Sequence, residues 1–90
     1  MSLFAKQWLG TWNGHRIEVH QRTGHQYLLV IDGERVDSDT SLINIGKRFL
    51  KATIQHEGTG HLVKVQVDQG LFTESASVTI DDVALPMEKS

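Results

Sequence analysis

Histidine stands at positions 15, 20, 25, 56 and 61 of the chain, and imidazole is the side chain best suited to bind metal or move protons near neutral pH. A zinc site needs three or four His, Cys or carboxylate ligands within about 2.0–2.3 Å of one ion, and the chain has no Cys. Spacing of five along an extended strand sends neighbouring side chains to opposite faces, so His15 and His20 do not converge directly. Across a hairpin the geometry changes. In "QHEGTGH" a four-residue loop, Glu57-Gly58-Thr59-Gly60, would set His56 opposite His61, with Cβ atoms roughly 4.5–5.5 Å apart. That is close enough for His56 and His61 to share a metal, with Glu57 or Glu74 supplying a carboxylate. The competing reading makes both rings caps on the end of a sheet, facing the core while still reaching water. His20 and His25 flank "QRTG" in the same way, with His20 on the expected solvent face.

Other chemistry finds less support. Ser38, Ser41, Ser75 and Ser77 lack the strand-turn-helix setting of a nucleophile elbow, and no G-x-S-x-G occurs. "GTG" has no following helix to make it a phosphate cradle. The pairs Asp37/Asp39 and Asp81/Asp82 fit turns and strand ends better than general acid-base work. No catalytic residues and no cofactor are expected. Nine Lys and Arg against 11 Asp and Glu leave a net charge of -2, with no cationic stripe for a nucleic acid or an anionic membrane.

These side chains must be positioned by strands. Turn signals recur at Asn13-Gly14, Thr23-Gly24, Asp32-Gly33, Glu57–Gly60 and Gln69-Gly70, separated by runs rich in Val, Ile, Thr and aromatics. Asn-Gly satisfies the two positive φ angles of a type I′ turn. It places Trp12 opposite His15, Gly10 opposite Ile17 and Trp8 opposite Val19 on one face, with both indoles as core anchors. The "EGTG" hairpin pairs Ile54 with Val63, Ala52 with Val65 and Leu50 with Val67 on the inward face, leaving Lys51, Thr53, Lys64 and Gln66 outward. The run "YLLVI", residues 27 to 31, is apolar on both faces. It implies either a bulge that shifts the register or a strand covered on both sides. Were it uncovered, Tyr27, Leu29 and Ile31 would form an apolar patch open to a partner or to self-association. Residues 38 to 46 read as a loop followed by a short strand, and residues 86 to 90 as a flexible tail.

The expected fold is a single all-β domain over residues 1 to 90. It is a small antiparallel β-sandwich of about seven to eight strands joined mainly by hairpins. Gly14-His15-Arg16-Ile17-Glu18-Val19 echoes Gly60-His61-Leu62-Val63-Lys64-Val65, and Ile31-Asp32 with Val36 echoes Ile80-Asp81 with Leu85. That pattern suggests a two-fold internal repeat whose halves stack. No apolar stretch approaches the roughly 18 residues of a membrane span, and the absence of Cys suits a reducing compartment, so a soluble, cytoplasmic protein is expected.

The run Gly14-His15-x-Ile17-Glu18-Val19, then Ile31-Asp32-Gly33-Glu34, Lys51-Ala52-Thr53-Ile54 and a closing Ile80-Asp81, resembles the Fas apoptotic inhibitory molecule family. The stretch from Asp37 to Arg48 departs from it in being longer and less aromatic, and so does the spacing of the Trp-rich start. The resemblance implies an all-β sandwich without catalysis that acts by protein contact and protects clients from aggregation. A non-catalytic binding or protein-interaction module is therefore the leading expectation. A metal-binding or metal-sensing protein using His56 and His61 is the alternative, and an unrecognised hydrolase-type enzyme a second.

Overall fold

The computed structural model describes residues 4–22, 26–39, 46–69 and 74–89. Among the described residues, alternating apolar and polar residues between turn signals fold into nine antiparallel strands. They are β1 (Phe4–Trp12), β2 (His15–Arg22), β3 (Gln26–Ile31), β4 (Glu34–Asp39), β5 (Gly46–His56), β6 (Thr59–Gln69), β7 (Glu74–Ile80), β8 (Val83–Leu85) and β9 (Glu88–Lys89). Among the described residues there is no helix, and hence no helix long and apolar enough to cross a membrane.

The first sheet has the order β4-β3-β2-β1-β9 and the second β5-β6-β7-β8. Their inner faces meet in one core that includes Trp8, Ile17, Val19 and Leu29 from the first sheet, and Leu50, Ile54, Val63, Val65 and Val78 from the second. The internal repeat is present as register. Ile17 faces Ile31 as Val63 faces Ile80, Val19 faces Leu29 as Val65 faces Val78, and Gln21 faces Tyr27 as Val67 faces Ala76.

Four tight turns close the hairpins at one end of the sandwich, each with positive φ at both central positions: Asn13-Gly14, Asp32-Gly33, Glu57-Gly58 and Asp81-Asp82. This is the type I′ geometry, whose twist matches that of the strands it joins. The β1–β2 register agrees with expectation, Trp12 opposite His15, Gly10 opposite Ile17 and Trp8 opposite Val19.

The β5–β6 register does not. Glu57-Gly58 alone makes the turn, and Thr59 and Gly60 remain in the strand, so His56 faces Thr59 and His61 faces Ile54. Gly58 takes the left-handed φ, while β-branched Thr59 gains more in a strand than in a loop. The slip is two residues, an even number, so every inward side chain stays inward.

Tyr27, Leu29 and Ile31 point into the core at 0%, 0% and 8% exposure, and the expected patch on these residues does not exist. Arg22 pairs with Gln26 across a three-residue connection, and this odd length selects the inward set. A bulge between Leu29 and Val30 then restores pairing with β4.

Two further expectations change. Ser38 and Asp39 belong to β4 and Gly46 opens an eleven-residue strand, in place of a loop and a short strand; residues 40–45 lie outside the described residues. The C-terminal stretch is built in. Glu88 and Lys89 pair with Leu9 and Trp8, and Met87 packs against the core.

Candidate functional site

The turn end of the sandwich gathers four rings from both sheets. Trp12 is the centre, with ring centroids 6.2 Å from His15, 5.4 Å from His56 and 4.8 Å from His61. His15 lies 5.5 Å from His56 at an interplanar angle of 81°, and His56 lies 6.4 Å from His61. The side chains of His15, His56 and His61 are 24%, 28% and 21% exposed. The rings therefore close the core and still reach solvent.

Two of these histidines are held by the same device. Asp32 sits first in the β3–β4 turn. Its N–H donates to the Arg16 carbonyl at 2.9 Å, one carboxylate oxygen accepts the Arg16 N–H at 2.9 Å, and the other accepts His15 Nδ1 at 2.7 Å. Asp81 repeats this at the β7–β8 turn, donating to the Leu62 carbonyl at 3.0 Å and accepting the Leu62 N–H at 3.1 Å and His61 Nδ1 at 2.5 Å.

Each clasp ties a central strand to the next turn. An ionised carboxylate only accepts hydrogen bonds, so in both rings Nδ1 carries the proton. In the neutral ring Nε2 then keeps its lone pair, on the side away from the aspartate. The hydrogen bond from His15, and secondarily the Arg16 N–H, holds the Asp32 carboxyl below the usual carboxylate range. His61 and then the Leu62 N–H do the same for Asp81.

The histidines expected to be opposite partners, His56 and His61, are thus diagonal neighbours. His61 is committed to Asp81, whereas the His56 ring has no hydrogen bond among the described residues, its nearest carboxylate being Glu57 at 3.9 Å. Among the described residues no group of three or more His, Asp or Glu is arranged to hold a metal ion. His25, Ser41 and the side chains of Asp39 and Glu74 lie outside the described residues.

His20 is buried although it stands on the outer face of the first sheet, with Nε2 3.2 Å from Glu18. That face is not uniformly wet. Neither His–Asp pair is in hydrogen-bond contact with a Ser or Thr hydroxyl among the described residues. Asp81 and Asp82 act separately, Asp82 pairing with Lys64 Nζ at 3.0 Å.

A second feature lies on the outer face of the second sheet. Lys47, Phe49, Lys51 and Thr53 alternate outward along β5, with Leu62, Lys64 and Gln66 beside them on β6. Phe49 is 61% exposed and Leu62 is exposed too. A depression of about 420 Å³ is lined by Phe49, Leu50, Lys51, Lys64 and Val65. The ammonium groups of Lys47 and Lys51 make no ion pair among the described residues. The Lys51 backbone N–H turns away from β6 and donates to Asp37 at 2.7 Å, which closes part of the β5 edge against strand pairing.

The Asp clasps carried a signal in the sequence, since Gly-His and Ile-Asp both recur in the internal echo. The exposure of Phe49 was readable from its parity with Lys51. No family model, curated protein or solved structure matches the chain.

Proposed function

We propose that the chain is a non-catalytic binding module that engages protein segments through the outer face of its second sheet. The observation that supports this most directly is Phe49, a large aromatic left 61% exposed on a face that otherwise carries, Leu62 apart, mainly polar side chains. Lys47 and Lys51 flank it on β5 with no ion pair among the described residues, so the favoured occupant is an acidic segment of a partner protein that also carries an apolar side chain. Lysine charge steers such a segment in, and burial of the phenyl ring holds it. A chaperone-like activity agrees with this reading and with the resemblance noted in the sequence. A non-native client exposes apolar side chains, and a basic-aromatic face captures those flanked by carboxylates. A soluble, cytoplasmic setting belongs to the same proposal.

The test is light scattering from an acidic, chemically unfolded client diluted into buffer with the protein. The intact chain should lower the scattering, and Phe49→Ser should abolish the effect. The stability of that variant should stay within about 0.5 kcal/mol of the parent, because an exposed side chain is removed. Val83→Ser, at another exposed apolar position, should leave the effect intact. Equal suppression by the parent and Phe49→Ser would remove Phe49 from the function.

A further inference from the structure

We infer that His15 and His56 form a two-histidine site for a borderline divalent metal such as Zn²⁺ or Ni²⁺, bridging the two sheets at their turn end. The inference is independent of the binding face around Phe49, and three observations carry it.

The first is preparation of the ligand. Asp32 accepts the His15 Nδ1 proton, and its other oxygen is fixed by the Arg16 N–H. The neutral imidazole is thereby locked in the tautomer that offers Nε2, the carboxylate–histidine arrangement that orients metal ligands and raises their basicity. The second is availability. His56 belongs to the extra rung that the β5–β6 hairpin adds beyond His61, and its ring nitrogens have no hydrogen-bond partner among the described residues. Both rings are about a quarter exposed, at 24% and 28%, so an ion and its remaining water ligands can reach them.

The third is distance, which also decides between pairs. A ring bound through nitrogen places its centroid about 3.2 Å from a zinc ion, given a Zn–N bond of about 2.0–2.1 Å. Two rings on one ion then have centroids at most about 6.4 Å apart, and that limit requires a linear arrangement. The 6.4 Å between His56 and His61 sits at this limit. The 5.5 Å between His15 and His56 lies inside this limit and leaves room for the bent arrangement that tetrahedral zinc prefers. The pair therefore shifts from the two histidines of one sheet to one from each. A metal held there would cross-link the sheets and stabilise the folded state by an amount that grows with the logarithm of free metal over Kd.

The experiment uses the full chain with Zn²⁺ or Ni²⁺ alone as the probe. At a hundredfold excess over Kd, the thermal midpoint should rise by roughly 10–20 °C for a domain of this size, and a chelator should reverse it. His15→Gln and His56→Gln should each cancel the rise, and His61→Gln should retain it. In long-range ¹H–¹⁵N spectra of the parent protein, stoichiometric Zn²⁺ should perturb the ring nitrogens of His15 and His56. That measurement decides even where a His15 variant folds poorly. Perturbation confined to His20, His25 or His61, or a midpoint that does not move, would overturn the site.

Discussion

Strands β1–β4 and β5–β8 carry the same ladder. Trp8 faces Val19 and Gly10 faces Ile17 in the first half, as Leu50 faces Val65 and Ala52 faces Val63 in the second. His15 and His61 then occupy equivalent rungs and meet equivalent turn aspartates. The halves part company at three places. Hairpin β1–β2 turns at His15, whereas β5–β6 runs on for one more rung and brings His56 over Trp12. Gly10 replaces a side chain where the C-terminal strap, Pro86 and Met87, crosses, and Ala52 keeps one. The outer face of the second half carries Phe49 among lysines, while that of the first carries Arg16 and His20, each in polar contact with Glu18. Repetition therefore accounts for the scaffold and the histidine clasps, and departures from repetition supply His56 and Phe49.

The largest effect should follow from confusing an inner face with an outer one. Leu29 is fully buried opposite Val19. Truncation of such a leucine to Ala costs about 2–5 kcal/mol, and Leu29→Lys would add an unpaired buried charge, enough to exhaust the stability of a small domain. Phe49→Lys, on the outer face of the other half, should leave the midpoint of chemical unfolding nearly unchanged. Circular dichroism of the two variants separates them: a folded Leu29→Lys chain would mean that residues 27–31 are not core.

Next in size is the strap. A Cβ on Gly10 would lie 2.5 Å from the Met87 sulfur, closer than packed atoms allow, and 3.0 Å from the Pro86 carbonyl oxygen, tighter than most packed contacts. Gly10→Ala should therefore cost about 1–3 kcal/mol in urea unfolding through overpacking. Met87→Ala in that background should recover part of the loss, because the flexible side chain is the closer of the two contacts. A neutral Gly10→Ala would show that the strap is not pressed onto β1, and that the Gly10/Ala52 difference has no energetic consequence.

The sequence made the core legible because side-chain parity survives errors of register. Expecting a four-residue turn at "EGTG" displaced every β5–β6 partner by two, yet Leu50, Ala52, Ile54, Val63, Val65 and Val67 still point inward as expected. The same error misplaced the site. Whether His56 meets His61 or rises one rung above it depends on those two residues, and both Gly58 and Gly60 were plausible turn positions. For residues 27 to 31 parity itself was undecided, because an odd connection before β3 and a bulge after Leu29 each reverse it. Burial of His20 and Leu28 on an outer face depends on tertiary packing that no alternation pattern contains.

The smallest effect belongs to the paired clasps, where the two halves should behave alike. In the folded protein Asp32 and Asp81 titrate below the usual carboxylate range because His15 and His61 donate to them. A carboxyl with a lowered folded pKa binds its proton more readily in the unfolded chain. Its contribution is thus present above the ordinary carboxylate pKa and is lost as pH falls through the depressed folded value. Asp32→Asn and Asp81→Asn, studied with a chelator present, should each be less stable than the parent at neutral pH. The gap should narrow in acid, since the parent alone loses the clasp by protonation. Both carboxylates are solvent-exposed, which keeps each effect modest. If the curves of stability against pH for parent and variant run parallel, the clasp is geometry without charge. If only one variant shows the narrowing, the halves share a register but not an energetic device, and the histidine rungs of the two sheets must then be explained separately.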